Sequence, residues 1–149
     1  MPGNTRGLKW ITVVPSHRTR GPCLPPPHGV FMSLAANIVV GLIGLLHVYI
    51  LVLEMFLWEK PAGRRAFGQS REQAAATKVL AANQGLYNGF LAAGLFWGLT
   101  LGDAGLGVKV FFLLCVLVAG LYGAATASRK ILFIQSVPAA IGLALLLLG

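Results

Sequence analysis

Charge is scarce in this sequence, and acid is scarcest of all. Only 11% of the 149 residues are charged, and Asp and Glu together number four. A soluble domain of this size needs more charge to cover its surface. Cysteine is nearly absent too: Cys23 lies in the leading segment and Cys115 in an apolar run. One thiol in the folded part supports neither a disulfide framework nor a metal cluster. The chain opens without the continuous apolar stretch of a secretory signal. It has no hydrolytic triad and no phosphate loop, so neither a metal nor a cofactor is expected.

What the sequence has in abundance is apolar length. Hydrophobic residues make up 56% of the chain. Residues 34–58 are apolar apart from Asn37, His47 and Glu54, and 79–101, 110–127 and 131–148 carry no charge. Each run is about 18–25 residues, the length that crosses a hydrocarbon core ~30 Å thick. The expected fold is all-α, a four-helix transmembrane bundle with helices at about 34–58, 71–101, 108–127 and 131–148.

Residues 1–31 differ. They hold Arg6, Lys9, Arg18 and Arg20, no acid, and a Pro-rich run. They read either as a start placed too early, with Met32 the true beginning, or as a disordered basic arm.

The net charge of +8 does not point to nucleic acid. Four of the twelve basic residues lie in that leading segment. The others sit at helix ends, where they set topology. The connection 59–78 carries Lys60, Arg64, Arg65, Arg71 and Lys78, and 128–130 carries Arg129 and Lys130. The connection between them holds only Asp103, with Lys109 just after it. The first and third connections are therefore expected in the cytoplasm of a cell membrane, with both termini outside.

Local signals refine this picture. Ser70 and Gln73 fit a capping box, which starts a helix near Arg71. Pro138 is placed to kink the last helix. Gly85 and Gly89 form the G-x-x-x-G spacing of close helix contact, and Gly41 and Gly44 resemble it in the first helix. Trp58 reads as a belt residue, and Tyr49 as an interface or packing aromatic.

The polar residues inside the runs are the candidate site. Counted at about 1.5 Å per residue, Glu54, Gln135, Asn83 and Gln84 lie roughly 7–9 Å from the cytoplasmic ends. Tyr122 lies at about 10 Å, and Tyr87, Asn88 and His47 at roughly 13–18 Å. The outer half is nearly bare, Asn37 and Thr100 excepted. Gly41, Gly44, His47 and Glu54 share one arc of the first helix. Asn83, Gln84, Tyr87 and Asn88 cover another arc of the second, away from Gly85 and Gly89. Ionisable groups at membrane depth usually face a bundle interior or cavity. His47, Glu54, Asn83, Gln84, Tyr87, Asn88, Tyr122 and Gln135 are thus expected to line a polar pocket open toward the cytoplasm. The alternative is that the amides glue helices together and Glu54 reaches the interface to meet Lys78 or Arg129. Direct joint metal ligation is ruled out, because His47 and Glu54 stand about 10.5 Å apart along the axis.

Two stretches, "HVYILVLEMFLWEKPAGRRAFG" and "TKVLAANQGLYNGFLAAGLFWGL", resemble the small bacterial membrane proteins grouped as domain of unknown function 1304. The resemblance covers about 32–149. It implies a four-helix integral membrane protein and names no activity. A looser, fold-level analogy links the chain to sterol isomerase-like bundles.

Three functions stay open at this stage. The first is binding of a small amphipathic or lipid-like molecule in the pocket. The second is an isomerase- or epimerase-type enzyme in which His47 or Glu54 moves a proton. The third is a small transporter acting as a homo-oligomer. Membrane lipids are the expected surroundings in each.

Overall fold

A computed structural model of the protein describes residues 27–149, with side chains from residue 31 onward. The readings of residues 1–26 lie outside the described residues. Within them the chain is all-helical. Helix α1 (Pro27–Met55) leads into a short α2 (Pro61–Phe67), then the long α3 (Arg71–Thr100). A 3-10 turn (Gly102–Gly105) joins α3 to α4 (Leu106–Thr126). A π-helical turn (Leu132–Ser136) runs into α5 (Val137–Leu148). Helix α1 begins before Met32, the expected first turn.

Helix α2 was not foreseen, although its ends are written in the sequence. Pro61 opens it with a preset φ, and Gly68 closes it at φ 66°, its N–H bonded to Arg64 O. The capping box of α3 forms as expected. Ser70 Oγ accepts from Gln73 N at 3.2 Å, and Gln73 Oε1 accepts from Ser70 N at 3.0 Å. Trp58 is buried rather than belted. It stacks near Phe67 and donates to Thr77 Oγ1 at 3.2 Å, pinning the first connection to α3.

Pro138 does disturb the last helix, and the form is a π turn rather than a simple bend. Proline has no N–H for the usual bond one turn back. The ladder widens just before it, with Val137 N bonded to Leu132 O.

The core is a narrow apolar column. Val40, Ile43, Leu95, Leu113, Val116, Ala139 and Leu143 form one cluster drawn from α1, α3, α4 and α5. Outside it the helices are apolar again. On α1 the buried stripe Ala36, Val40, Ile43 and His47 is backed by an exposed stripe of Phe31, Leu34, Ile38, Leu42 and Leu45. Phe111, Leu114, Val118 and Leu121 do the same on α4. Helices apolar on every face belong in a large core or in lipid.

Two segments, 31–55 and 102–126, are each long and apolar enough to cross a membrane. Helix α3 has the length, but its polar arc dilutes its apolar stretch. The last segment, 132–148, is shorter.

Candidate functional site

Helices α1 and α3 make the most extensive contact in the fold. Glycine permits it. A Cβ on Gly85 would stand 2.6 Å from Met55 Cγ, 3.1 Å from Glu54 Cβ and 3.2 Å from Leu51 O. Gly89 lies one turn on, beneath Leu51. The G-x-x-x-G face of α3, expected from its spacing to make a close helix contact, is the seat of α1.

Among the described residues one polar contact crosses that seam. Asn88 Nδ2 donates to Glu54 Oε2 at 2.9 Å and also to Gln84 O at 3.0 Å. Both side chains are half-buried. The amide thus ties a carboxylate to the helix backbone in a seam otherwise built of Leu51, Met55 and glycine.

His47 lies deeper, in the core, at 0% exposure. Its Nδ1 donates to Ile43 O at 2.8 Å. A carbonyl can only accept, so the proton of a neutral ring is on Nδ1 and Nε2 offers a lone pair. That Nε2 is buried and meets no partner within the structure. Buried polar atoms are rarely left so.

The remaining expected residues are not drawn into one enclosure. Asn83, Gln84 and Tyr87 are exposed on α3. The reason is angular: the glycine face takes α1, which carries the adjoining polar arc to the outside. Tyr122 is 72% exposed on α4. Gln135 is half-buried in the π turn, its Cβ close to where a Cβ on Gly120 would be. The convergence in depth read from the sequence therefore becomes a seam plus an outward arc, not a closed pocket. Glu54 does not pair with Lys78. Lys78 instead meets Glu59 in an exposed ion pair, a kind of contact worth little.

The sequence reading passed over a residue at the opposite end. Lys109, expected only as a loop charge, is 5% exposed and bonded to Asn37. The signal was available: a lysine three residues inside an apolar helix, at the depth of a lone asparagine.

Among the described residues no three His, Cys, Asp or Glu side chains cluster closely enough to hold a metal ion.

A family described as "Protein of unknown function (DUF1304)" matches residues 41–147. The chain belongs to this family. The matched span holds the whole α1–α3 seam from His47 to Asn88. An uncharacterized protein, YpaA, of Lactococcus lactis subsp. lactis (strain IL1403) is 31% identical over 119 residues. That match covers 78% of this chain and 96% of the relative. No solved structure matches.

Proposed function

We propose that the protein is a four-helix integral membrane protein that binds a small amphipathic or lipid-like molecule along the α1–α3 seam, in the cytoplasmic half of the bilayer. The observation that carries this reading is the Asn88–Glu54 hydrogen bond at 2.9 Å, a carboxylate held half-buried in an apolar seam. An ionisable group at membrane depth is costly and is retained where it faces a cavity or a function. The ligand's polar end meets Glu54, Asn88 and the outward Gln84 and Tyr87. Its body lies along the outside of the seam beside Leu51, and a hydroxyl or amide hydrogen would reach the enclosed His47 Nε2 only where α1 and α3 part to admit it.

The membrane setting is supported by the doubly apolar faces of α1 and α4. In this reading α3, which has the length, and the final helix cross as well, giving a bundle of four. The basic first and third connections then lie in the cytoplasm, with both termini outside.

Binding is favoured over transport by the apolar column. Val40, Ile43, Leu95, Leu113 and Val116 are buried between the depth of His47 and the outer end, leaving no polar path. If the site does chemistry, Glu54 is the group placed to move a proton, because His47 is sealed in the core.

Native mass spectrometry on detergent-purified protein tests the reading. A discrete molecule should leave with the wild type and be lost in Asn88→Ala and Glu54→Ala, with helicity unchanged. Retention by both variants, or bulk lipid alone on the wild type, ends it. Size-exclusion in the same runs shows whether a second copy covers the Asn83–Gln84–Tyr87 arc instead.

A further inference from the structure

The outer end of the bundle carries a second polar site, independent of the α1–α3 seam. Lys109 is the fourth residue of α4, and its stem fills the space over Gly98 of α3. A Cβ on Gly98 would come within 2.6 Å of Lys109 Cγ. The ammonium is led to the interior. Nζ donates to Asn37 Oδ1 at 3.0 Å and to Gly102 O at 3.3 Å. Both acceptors are neutral oxygens. Among the described residues the only ion pair is Lys78–Glu59, so no carboxylate stands within salt-bridge reach of Lys109.

A buried cation held by neutral acceptors lacks a counter-charge, and buried charges are normally paired. The N-terminal end of α4 adds to the same positive potential. Beside the ammonium lies a cavity of about 190 Å³. Ser33, Asn37, Lys109, Asp103 and the backbone of Gly149 line its polar side, and Leu106, Leu145 and Leu146 its apolar side. Asn37 turns its oxygen to the ammonium, because lysine only donates, and so presents its Nδ2 hydrogens as donors. Asp103 is exposed in the 3-10 turn at the rim. Its charge is hydrated there and weakens, without cancelling, the pull on an incoming anion.

We infer that this cavity binds an anionic oxygen group, a carboxylate or phosphate attached to an aliphatic chain. Lys109 Nζ is its ion-pair partner, Asn37 Nδ2 its second donor, and the leucines hold the first carbons of the chain. The volume is below that of sites for whole drug-sized ligands, roughly 300–1,000 Å³, so the cavity takes a head group and not an entire lipid. The chemistry is shared by a free aliphatic acid and by an acidic phospholipid of the outer leaflet.

Thermal unfolding of the full chain distinguishes the two sources. The protein in neutral detergent is titrated with octanoate and, separately, with inorganic phosphate. It is also placed in nanodiscs of phosphatidylcholine with and without phosphatidylglycerol. A saturable rise in Tm with octanoate assigns a free carboxylate. A rise only with phosphatidylglycerol assigns a lipid head group. Phosphate alone should act weakly, because it leaves the leucine wall empty.

Lys109→Met should abolish the response. Asn37→Asp covers the case in which that variant fails to fold: it gives the ammonium an internal counter-ion, so the fold is kept while half-saturation weakens by at least about tenfold. Asp103→Asn should tighten binding. No response in the wild type, or an unchanged response in Asn37→Asp, overturns the inference and leaves Lys109 as a tie between α1 and α4.

Discussion

Asn88 on α3 and Glu54 on α1 share a hydrogen bond of 2.9 Å although they are separated by 34 positions in the chain. Neither residue is fully buried, and neither is free in solvent. The bond crosses the seam that the glycines make narrow, so it also reports the register of the two helices. Hydrogen bonds between membrane helices average about 0.6 kcal/mol and reach ~1.7 kcal/mol. A double-mutant cycle of Glu54→Ala and Asn88→Ala, read by unfolding in detergent, should return a coupling in that range. Glu54→Gln keeps the shape and removes the charge, so it should hold the fold while weakening any ligand that needs an anion. Zero coupling together with unchanged ligand retention would remove the pair from the site.

The glycines of α3 should not be equivalent. At Gly85 a new Cβ meets the backbone oxygen of Leu51 at 3.2 Å and Glu54 Cβ at 3.1 Å, neither of which can swing away. At Gly89 it meets the flexible tip of Leu51 and little else. Gly85→Ala is therefore expected to cost about 1–3 kcal/mol, the usual range for overpacking. Gly89→Ala should cost clearly less. Melting of the two variants side by side checks the order, and equal losses would contradict the seam as described.

Topology has a direct assay. Arg64, Arg65, Arg71, Arg129 and Lys130 gather on the first and third connections, so the proposed orientation has these on the cytoplasmic side. With Cys23 and Cys115 replaced by alanine, single cysteines at Ala66 and Ala104 are both exposed to reagent. An impermeant maleimide applied to intact cells should label the Ala104→Cys protein and spare the Ala66→Cys protein. Labelling of the Ala66→Cys protein alone would invert the orientation.

Helix positions and the close-packing face of α3 were legible because each rests on a local rule; that α1 is the partner on that face was not. Apolar length gave the long helices, Ser70 and Gln73 gave the start of α3, and Gly85 and Gly89 gave its packing face. The polar site was legible only in part. Depth along a helix follows from counting, and counting set Glu54 level with Asn83 and Gln84 and put Asn88 deeper, whereas the seam joins Glu54 to Asn88; how two helices slide past each other is set by their packing and not by either count. Direction around a helix depends on which face the partner takes, and one helix cannot present a packing face and a wide polar arc to the same neighbour. That is why Asn83, Gln84 and Tyr87 ended outside. Lys109 was missed for a different reason. It sits beside a basic-poor connection and counts as a topology charge until Gly98 is seen to admit its stem and Asn37, 72 positions back, to take its ammonium. Helix α2 and the π turn are tertiary consequences of Pro61, Gly68 and Pro138, residues whose positions signalled a break without fixing its shape.

His47 offers the sharpest test of whether the seam holds a molecule. The ring is sealed, its Nδ1 hydrogen bonds Ile43 O, and Nε2 has no partner. A buried acceptor left unmet costs about 1–3 kcal/mol, and replacing it by an apolar side chain of similar shape is neutral or stabilising. His47→Leu should therefore fold and melt at the wild-type temperature or above it when the protein has been stripped of ligand by repeated detergent exchange. In protein purified gently from membranes the order should reverse. The wild type keeps the hydrogen bond that a ligand donor makes to Nε2, whereas His47→Leu loses it and retains at least about tenfold less of the co-purifying molecule, close to 1.4 kcal/mol in binding. Comparing the two preparations separates packing from recognition. If His47→Leu is the more stable in both and carries the same molecule, the ring is core filling and the site is confined to Glu54 and Asn88.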